Sequence, residues 1–199
     1  MSFPADRFNL EKQVTFYLSY HDNKVNQYIH LVCIWPIFVS GLVLLAHTQP
    51  LVETPSFLAA LPYGQFMLLN YSAIVAAIYM GWYVALDIRA GTLAAGIVLL
   101  SYLFANYFVL EGAEAMGVHS VHVCIAIQAT AWVLQFVGHG LFERRKPALF
   151  ASLDQALITA PMFVLLEILF PLGYRPELYQ RVLKQAKLNV ASFKATKTL

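Results

Sequence analysis

Residues 65–110, QFMLLNYSAIVAAIYMGWYVALDIRAGTLAAGIVLLSYLFANYFVL, decide the fold class. Two apolar runs, Gln65–Leu86 and Gly91–Leu110, are parted only by Asp87-Ile88-Arg89-Ala90. A bilayer core takes roughly 20 mainly apolar residues per helix. So short a break leaves length for a turn and nothing more, and the stretch reads as a tight hairpin of membrane helices.

Working outward, Ile29–His47 and Val121–Phe142 have the same character, and boundaries read this way are uncertain by a few residues. A fifth apolar stretch, Ala156–Phe170, is shorter, contains Pro161 and Glu167, and ends at Pro171. Its length suits a re-entrant or interfacial segment better than a span. Residues 6–20 mix Phe8, Val14, Phe16, Tyr17 and Leu18 with polar side chains, as in a helix lying along the interface. The composition agrees: 59% of the 199 residues are hydrophobic and 12% are charged, against about 25% charged in soluble domains. The expectation is an all-α polytopic membrane bundle: about four transmembrane helices, a short fifth segment and an N-terminal interfacial helix. Residues 1–175 form one catalytic domain, and 176–199 a basic, solvated cytosolic tail, helical at its start. No secretory signal peptide is visible, so the first transmembrane helix is expected to direct insertion. Cys33 and Cys124 lie inside apolar segments and read as packed thiols, near opposite membrane faces and therefore unbridged.

Charge sets the orientation. Arg7, Lys12 and Lys24 precede the first span, Arg89 sits in the hairpin turn, and Arg144, Arg145 and Lys146 follow the fourth span. The tail adds Arg175, Arg181, Lys184, Lys187, Lys194 and Lys197, whereas the loops 46–64 and 111–120 hold no Lys or Arg. With four spans and a fifth segment that does not cross, all 13 basic residues fall on one side. Both termini are then cytosolic. The six histidines sort accordingly, with His21, His30 and His139 at the cytosolic boundary and His47, His119 and His122 at the opposite one. A core about 30 Å thick keeps the two groups from sharing a metal.

Two polar clusters flank apolar helices: Tyr20-His21-Asp22-Asn23-Lys24-Val25-Asn26-Gln27-Tyr28-Ile29-His30 and Gln135-Phe136-Val137-Gly138-His139-Gly140-Leu141-Phe142-Glu143. Imidazoles and carboxamides are costly to desolvate at a membrane boundary and point to a site. Asn23, Asn26 and His30 share one helical face, with His21 on the opposite one. For His21 to join them the helix must begin after it, with Asp22 or Asn23 as N-cap. Gln135, His139 and Glu143 form a stripe that Trp132 and Gln128 extend deeper. Glu143 either ligates a metal, orients His139, or pairs with Arg144, Arg145 or Lys146. Asn23 and Asn26 suit capping and substrate binding equally. Glu167 either faces solvent or reaches the same site. Three neutral imidazoles, with or without a carboxylate, suit Fe(II), Zn(II) or Cu. His119 and His122 have metal-like spacing but no third partner except Glu111 or Glu114, and read as helix-end polar groups, as does His47.

The chain resembles the family of small endoplasmic-reticulum membrane proteins typified by the fungal 2-hydroxy fatty acid dioxygenase of phytosphingosine breakdown. The resemblance lies in Phe16-Tyr17-Leu18-Ser19-Tyr20-His21-Asp22-Asn23, Asn26 and Ile29-His30, then Trp132 and Gln135 through Leu149. It continues through Leu157, Ala160-Pro161, Phe163, Glu167, Leu169-Phe170 and Leu172-Gly173-Tyr174. It implies Fe2+-dependent α-oxidation, in which a long-chain 2-hydroxy fatty acid and O2 give a fatty acid one carbon shorter. It also implies that His21, His30 and His139 hold the iron. Glu143, Asn23, Asn26 and Gln135 would be additional ligands or would orient ligand and substrate, while Lys24, Arg144 and Arg145 attract the carboxylate. Members of the family can carry a second histidine directly after the first; here that place is Asp22, which the implied ligand set omits. Membrane lipid is the expected surrounding, and no nucleic-acid partner is expected. Two other readings stand beside this one: a non-catalytic scaffold or lipid-binding transporter, and a haem protein with His30 and His139 as axial ligands.

Overall fold

The computed structural model describes residues 7–146 and 155–197, which hold helices and turns but no strand. Pro147-Ala148-Leu149, expected to extend the second family block, lie outside the described residues. The main elements are α1 (Leu10–Ser19), α2 (Lys24–Ala46), α3 (Tyr71–Leu86), α4 (Ile88–Tyr107), α5 (Ser120–Val137), α6 (Ala160–Leu169) and α7 (Pro176–Lys197). Among the described residues, three stretches are long and apolar enough to cross a membrane: Lys24–Ala46, Ile88–Ala115 and Ser120–Glu143. The second exceeds α4 because a π-turn, Phe108–Gly112, and the short helix Ala113–Ala115 prolong it. The third exceeds α5 through a π-turn over Gly138–Glu143. Many of their large apolar side chains are exposed, among them Val32, Leu100 and Ile125. A bilayer covers such a surface; water does not.

The hairpin is tighter than the sequence suggests. Asp87 alone separates α3 from α4. Gly91 makes this possible, since a Cβ there would run into the Tyr83 carbonyl. At the other end α3 begins at Tyr71, six residues later than the apolar run. Asn70 sets that start: its side-chain oxygen accepts from the Ala73 amide at 3.2 Å, and its Nδ2 donates to Asn106 Oδ1 at 2.8 Å. Residues 64–66 form a 3₁₀ turn instead. At 16 residues, α3 is about 24 Å long by helical rise.

The chain divides into two compact units. One comprises 35–84 and 88–132, and the Asn70–Asn106 pair lies in it. So do Gln128, which donates to the Ile37 carbonyl at 2.8 Å, and Trp132, which donates to Gln128 at 2.9 Å. The other comprises residues up to 34, 85–87 and 133 onward. Its core is α6, whose residues Ala160–Leu166 are all buried, with Pro161 in the first turn, where a missing amide hydrogen costs nothing. The short fifth segment is thus a core helix of its unit. Asp87 belongs here too, accepting from Tyr174 Oη at 2.6 Å and pairing with Arg175 at 2.5 Å.

The residues after 175 are a packed helix where a solvated end was expected. Leu178, Val182, Ala186 and Val190 are buried at a spacing of four and meet the buried side of α1, Leu10, Val14, Tyr17 and Leu18. Arg181 forks onto both Glu11 oxygens at 3.0 Å, Asn189 donates to Ser19 Oγ at 3.0 Å, and Lys194 reaches Asp22 at 2.9 Å. Cys33 and Cys124 are buried free thiols, as expected.

Candidate metal centre

α1 stops at Ser19 and α2 starts at Lys24, so His21 sits in the turn between them. Asn23 makes the break. Its Oδ1 accepts from the Val25 amide at 2.9 Å and its carbonyl from the Gln27 amide at 3.0 Å, which is N-cap geometry. Gln27 reaches back and donates to the His21 carbonyl at 2.5 Å. The turn therefore brings His21 to the face that carries His30. His139 joins them from the π-turn that ends the fourth apolar stretch.

The three imidazoles form a closed triangle. Ring centroids are 4.3 Å apart for His21–His30, 4.9 Å for His21–His139 and 4.8 Å for His30–His139. All three are 4% exposed. One donor nitrogen from each lies within 4.8 Å of the others, the only such group of three or more His, Cys, Asp or Glu donors among the described residues.

Hydrogen bonds settle which nitrogens are available. His21 Nδ1 is 2.7 Å from the Tyr17 carbonyl, and His30 Nδ1 is 2.9 Å from the Asn26 carbonyl. A carbonyl only accepts, so both Nδ1 atoms carry the proton and both Nε2 atoms carry a lone pair. His21 Nε2 and His139 Nδ1 are buried without a hydrogen-bond partner. Burial, then the neighbouring His30 and His139, pushes the His21 imidazole well below its usual range and keeps it neutral. Imidazole donors, two of them oriented by backbone carbonyls and two with a buried nitrogen lacking a partner, fit a transition-metal ion. At a bond length of about 2.0–2.1 Å, as for zinc–imidazole, tetrahedral donors stand roughly 3.4 Å apart, so a pair at the 4.8 Å limit would close by about 1.4 Å on binding.

Glu143 reaches the N-terminus of α2. Its Oε1 accepts from the Asn23 amide at 2.7 Å and from Asn26 Nδ2 at 3.3 Å, so it closes the N-terminus of α2. The carboxylate also fixes the Asn26 amide, whose Oδ1 turns against Gly138, where any Cβ would collide with it. Gln135 is buried, with Nε2 unpartnered. Lys24 donates to Gln27 Oε1 at 3.0 Å. Arg144 adopts a left-handed conformation, φ 53°, at the end of the π-turn. Arg145 lies 3.6 Å over the Tyr20 ring and 4.2 Å over Phe193, and donates to the Ser19 carbonyl at 2.7 Å. The other histidines fall elsewhere: His47 bonds Ser120 Oγ at 2.9 Å, and the rings of His119 and His122 are 5.2 Å apart with no third donor beside them among the described residues.

Tyr17 is the residue that sequence reasoning left without a role. Its ring stacks on His21 at 4.0 Å and its hydroxyl donates to Glu167 at 3.2 Å. Its place four residues before His21 in a helical stretch was the available signal. Nothing in the sequence marks Gly138 as a contact point.

A family model described as 2-hydroxy-palmitic acid dioxygenase Mpo1-like matches residues 8–172. The 2-hydroxy-palmitic acid dioxygenase MPO1 of Saccharomyces cerevisiae is 32% identical over 171 residues, covering 85% of each chain. No solved structure matches the chain.

Proposed function

The chain belongs to the Mpo1-like family, and from that premise we propose that it is a ferrous-iron dioxygenase that shortens long-chain 2-hydroxy fatty acids by one carbon. The observation that carries the metal is the buried triangle of His21, His30 and His139, with donor atoms within 4.8 Å of one another. The family match, which ends at residue 172, is in line with a catalytic domain of 1–175 followed by the segment 176–199. The one-sided charge map supports a membrane protein with both termini cytosolic, and the family resemblance implies the endoplasmic reticulum.

The overall reaction balances without an external reductant: R–CH(OH)–COOH + O2 → R–COOH + CO2 + H2O. The acid gives up four electrons, three from C2 and one from C1, and dioxygen takes four. Fe(II), when bound, supplies the redox centre through which dioxygen reacts with a closed-shell acid. His21, His30 and His139 would hold the iron and, as only three donors, would leave it open to substrate and dioxygen. The Tyr17 and Asn26 carbonyls keep two imidazoles in the donor tautomer. Lys24, Arg144 and Arg145 create the positive field that draws the carboxylate to the interface. The acyl chain stays in the apolar phase, and Gln135 Nε2 offers a donor to substrate.

A haem fits poorly, since a third imidazole packed against both His30 and His139 leaves no plane for a porphyrin. A scaffold has no use for buried imidazoles with unpartnered nitrogens. The test is anaerobic purification in detergent, metal analysis, and addition of Fe(II), O2 and a long-chain 2-hydroxy fatty acid. One iron per chain, a product one carbon shorter and one CO2 per turnover are expected. A folded protein that binds no metal and turns nothing over would refute the assignment.

A further inference from the structure

His30 and His139 ride on helical backbone, but His21 sits in the non-helical turn after α1. It is the ligand whose place the main chain fixes least, so side chains must hold it. Tyr17 does so twice. Its carbonyl accepts from His21 Nδ1 at 2.7 Å, and its ring lies against the imidazole at 4.0 Å and 24°. Tyr17 is itself held on one side by Phe163, with ring centroids 5.0 Å apart, and at its far end by the Glu167 carboxylate at 3.2 Å. Glu167 is the one ionisable residue of α6, a helix otherwise apolar. A half-buried carboxyl on so apolar a helix carries a desolvation cost that a hydrogen bond to one tyrosine offsets only in part.

We infer that Glu167 is a positioning residue for the metal centre: through the Tyr17 hydroxyl it holds the ring on which His21 rests. This rests on the metal reading above. The chain of contacts runs from α6 through Tyr17 to His21, and Glu167 is not among the clustered donors. What it requires of residue 167 is a hydrogen-bond acceptor, not a charge.

Co(II) serves as the probe, because its visible absorption reports the ligand geometry whether or not the enzyme turns over. Purified full-length protein would be titrated with Co(II) as the native chain, Tyr17→Phe, Glu167→Leu and Glu167→Gln, with melting temperature measured in parallel. Tyr17→Phe and Glu167→Leu should weaken Co(II) binding about tenfold or more, the usual loss when a ligand's outer support is removed, and shift the absorption band. Glu167→Gln, which still accepts from the hydroxyl, should restore both. Lower melting temperatures with unchanged affinity and band would overturn the inference, since a merely structural pair behaves that way. Failure of the native chain to bind Co(II) would bring down the metal centre and this inference together.

Discussion

At the scale of single residues, the centre depends on nitrogens that hydrogen bonds leave free. His139→Ala should abolish turnover and metal retention while the protein still inserts and accumulates, measurable by metal analysis beside expression level; an active mutant would remove His139 from the ligand set. Gly138→Ala tests the close approach beside it. A methyl there must displace Asn26 Oδ1, and overpacking of this kind costs about 1–3 kcal/mol; a lowered melting temperature is expected, and an unchanged one would show that α2 yields freely. The metal-free protein should also respond to acid. His21 is held below its unfolded pKa of about 6.5, so below that pH the unfolded chain takes up a proton that the native one refuses. Stability is full above pH ~6.5 and falls as pH drops, by up to about 1.4 kcal/mol per pH unit for one such group. Melting curves from pH 7.5 to 5.5 check this, and His21→Gln should flatten the slope. The sequence exposed His30 and His139 through their place at apolar boundaries. It also required a helix break after His21, because position 21 lies on the wrong face of a continuous helix. It did not reveal what Glu143 does, since a carboxylate four residues after a histidine looks the same whether it ligates or caps.

At the scale of elements, hydropathy located α2, α4 and α5 well because their apolar runs are long. It misplaced the start of α3, because Gln65–Asn70 is nearly as apolar as the helix it leads into. The decisive feature there is one carboxamide, Asn70, whose partner Asn106 is 36 residues away. The tail failed for another reason. Its stripe of Leu178, Val182, Ala186 and Val190 stands at helical spacing, but its five basic residues read equally well as a solvated end. That stripe meets α1, and α1 ends two residues before His21. Val182 is fully buried, and an ionised carboxylate there costs several kcal/mol. Val182→Asp should therefore release α7, seen as rapid proteolysis after residue 175, and should lower metal retention as α1 loosens. A protease-resistant, fully loaded Val182→Asp protein would show that α7 leaves the site untouched.

At the scale of the whole molecule, the clustered imidazoles gather in one compact unit while the other carries apolar helices and a few hydrogen-bonded carboxamides, Asn70, Asn106 and Gln128. That division follows from the membrane, which tolerates buried polar groups only where they are mutually satisfied or bind something. It has a thermodynamic consequence. In the proposed centre three uncharged donors would leave the full charge of a divalent cation in a poorly hydrated place, and Glu143 is already bonded to the end of α2. The counterion then has to arrive with the substrate. By reciprocity the fatty-acid carboxylate and the cation each raise the other's affinity by the same factor. A 2-hydroxy fatty acid should tighten Co(II) binding under anaerobic conditions, and a 2-hydroxy alcohol of equal length should not. Equal effects from both would mean that the charge is neutralised elsewhere. Under the proposed function such coupling would make occupancy by metal depend on lipid supply, with the substrate-bound protein holding its ion more firmly than the resting one.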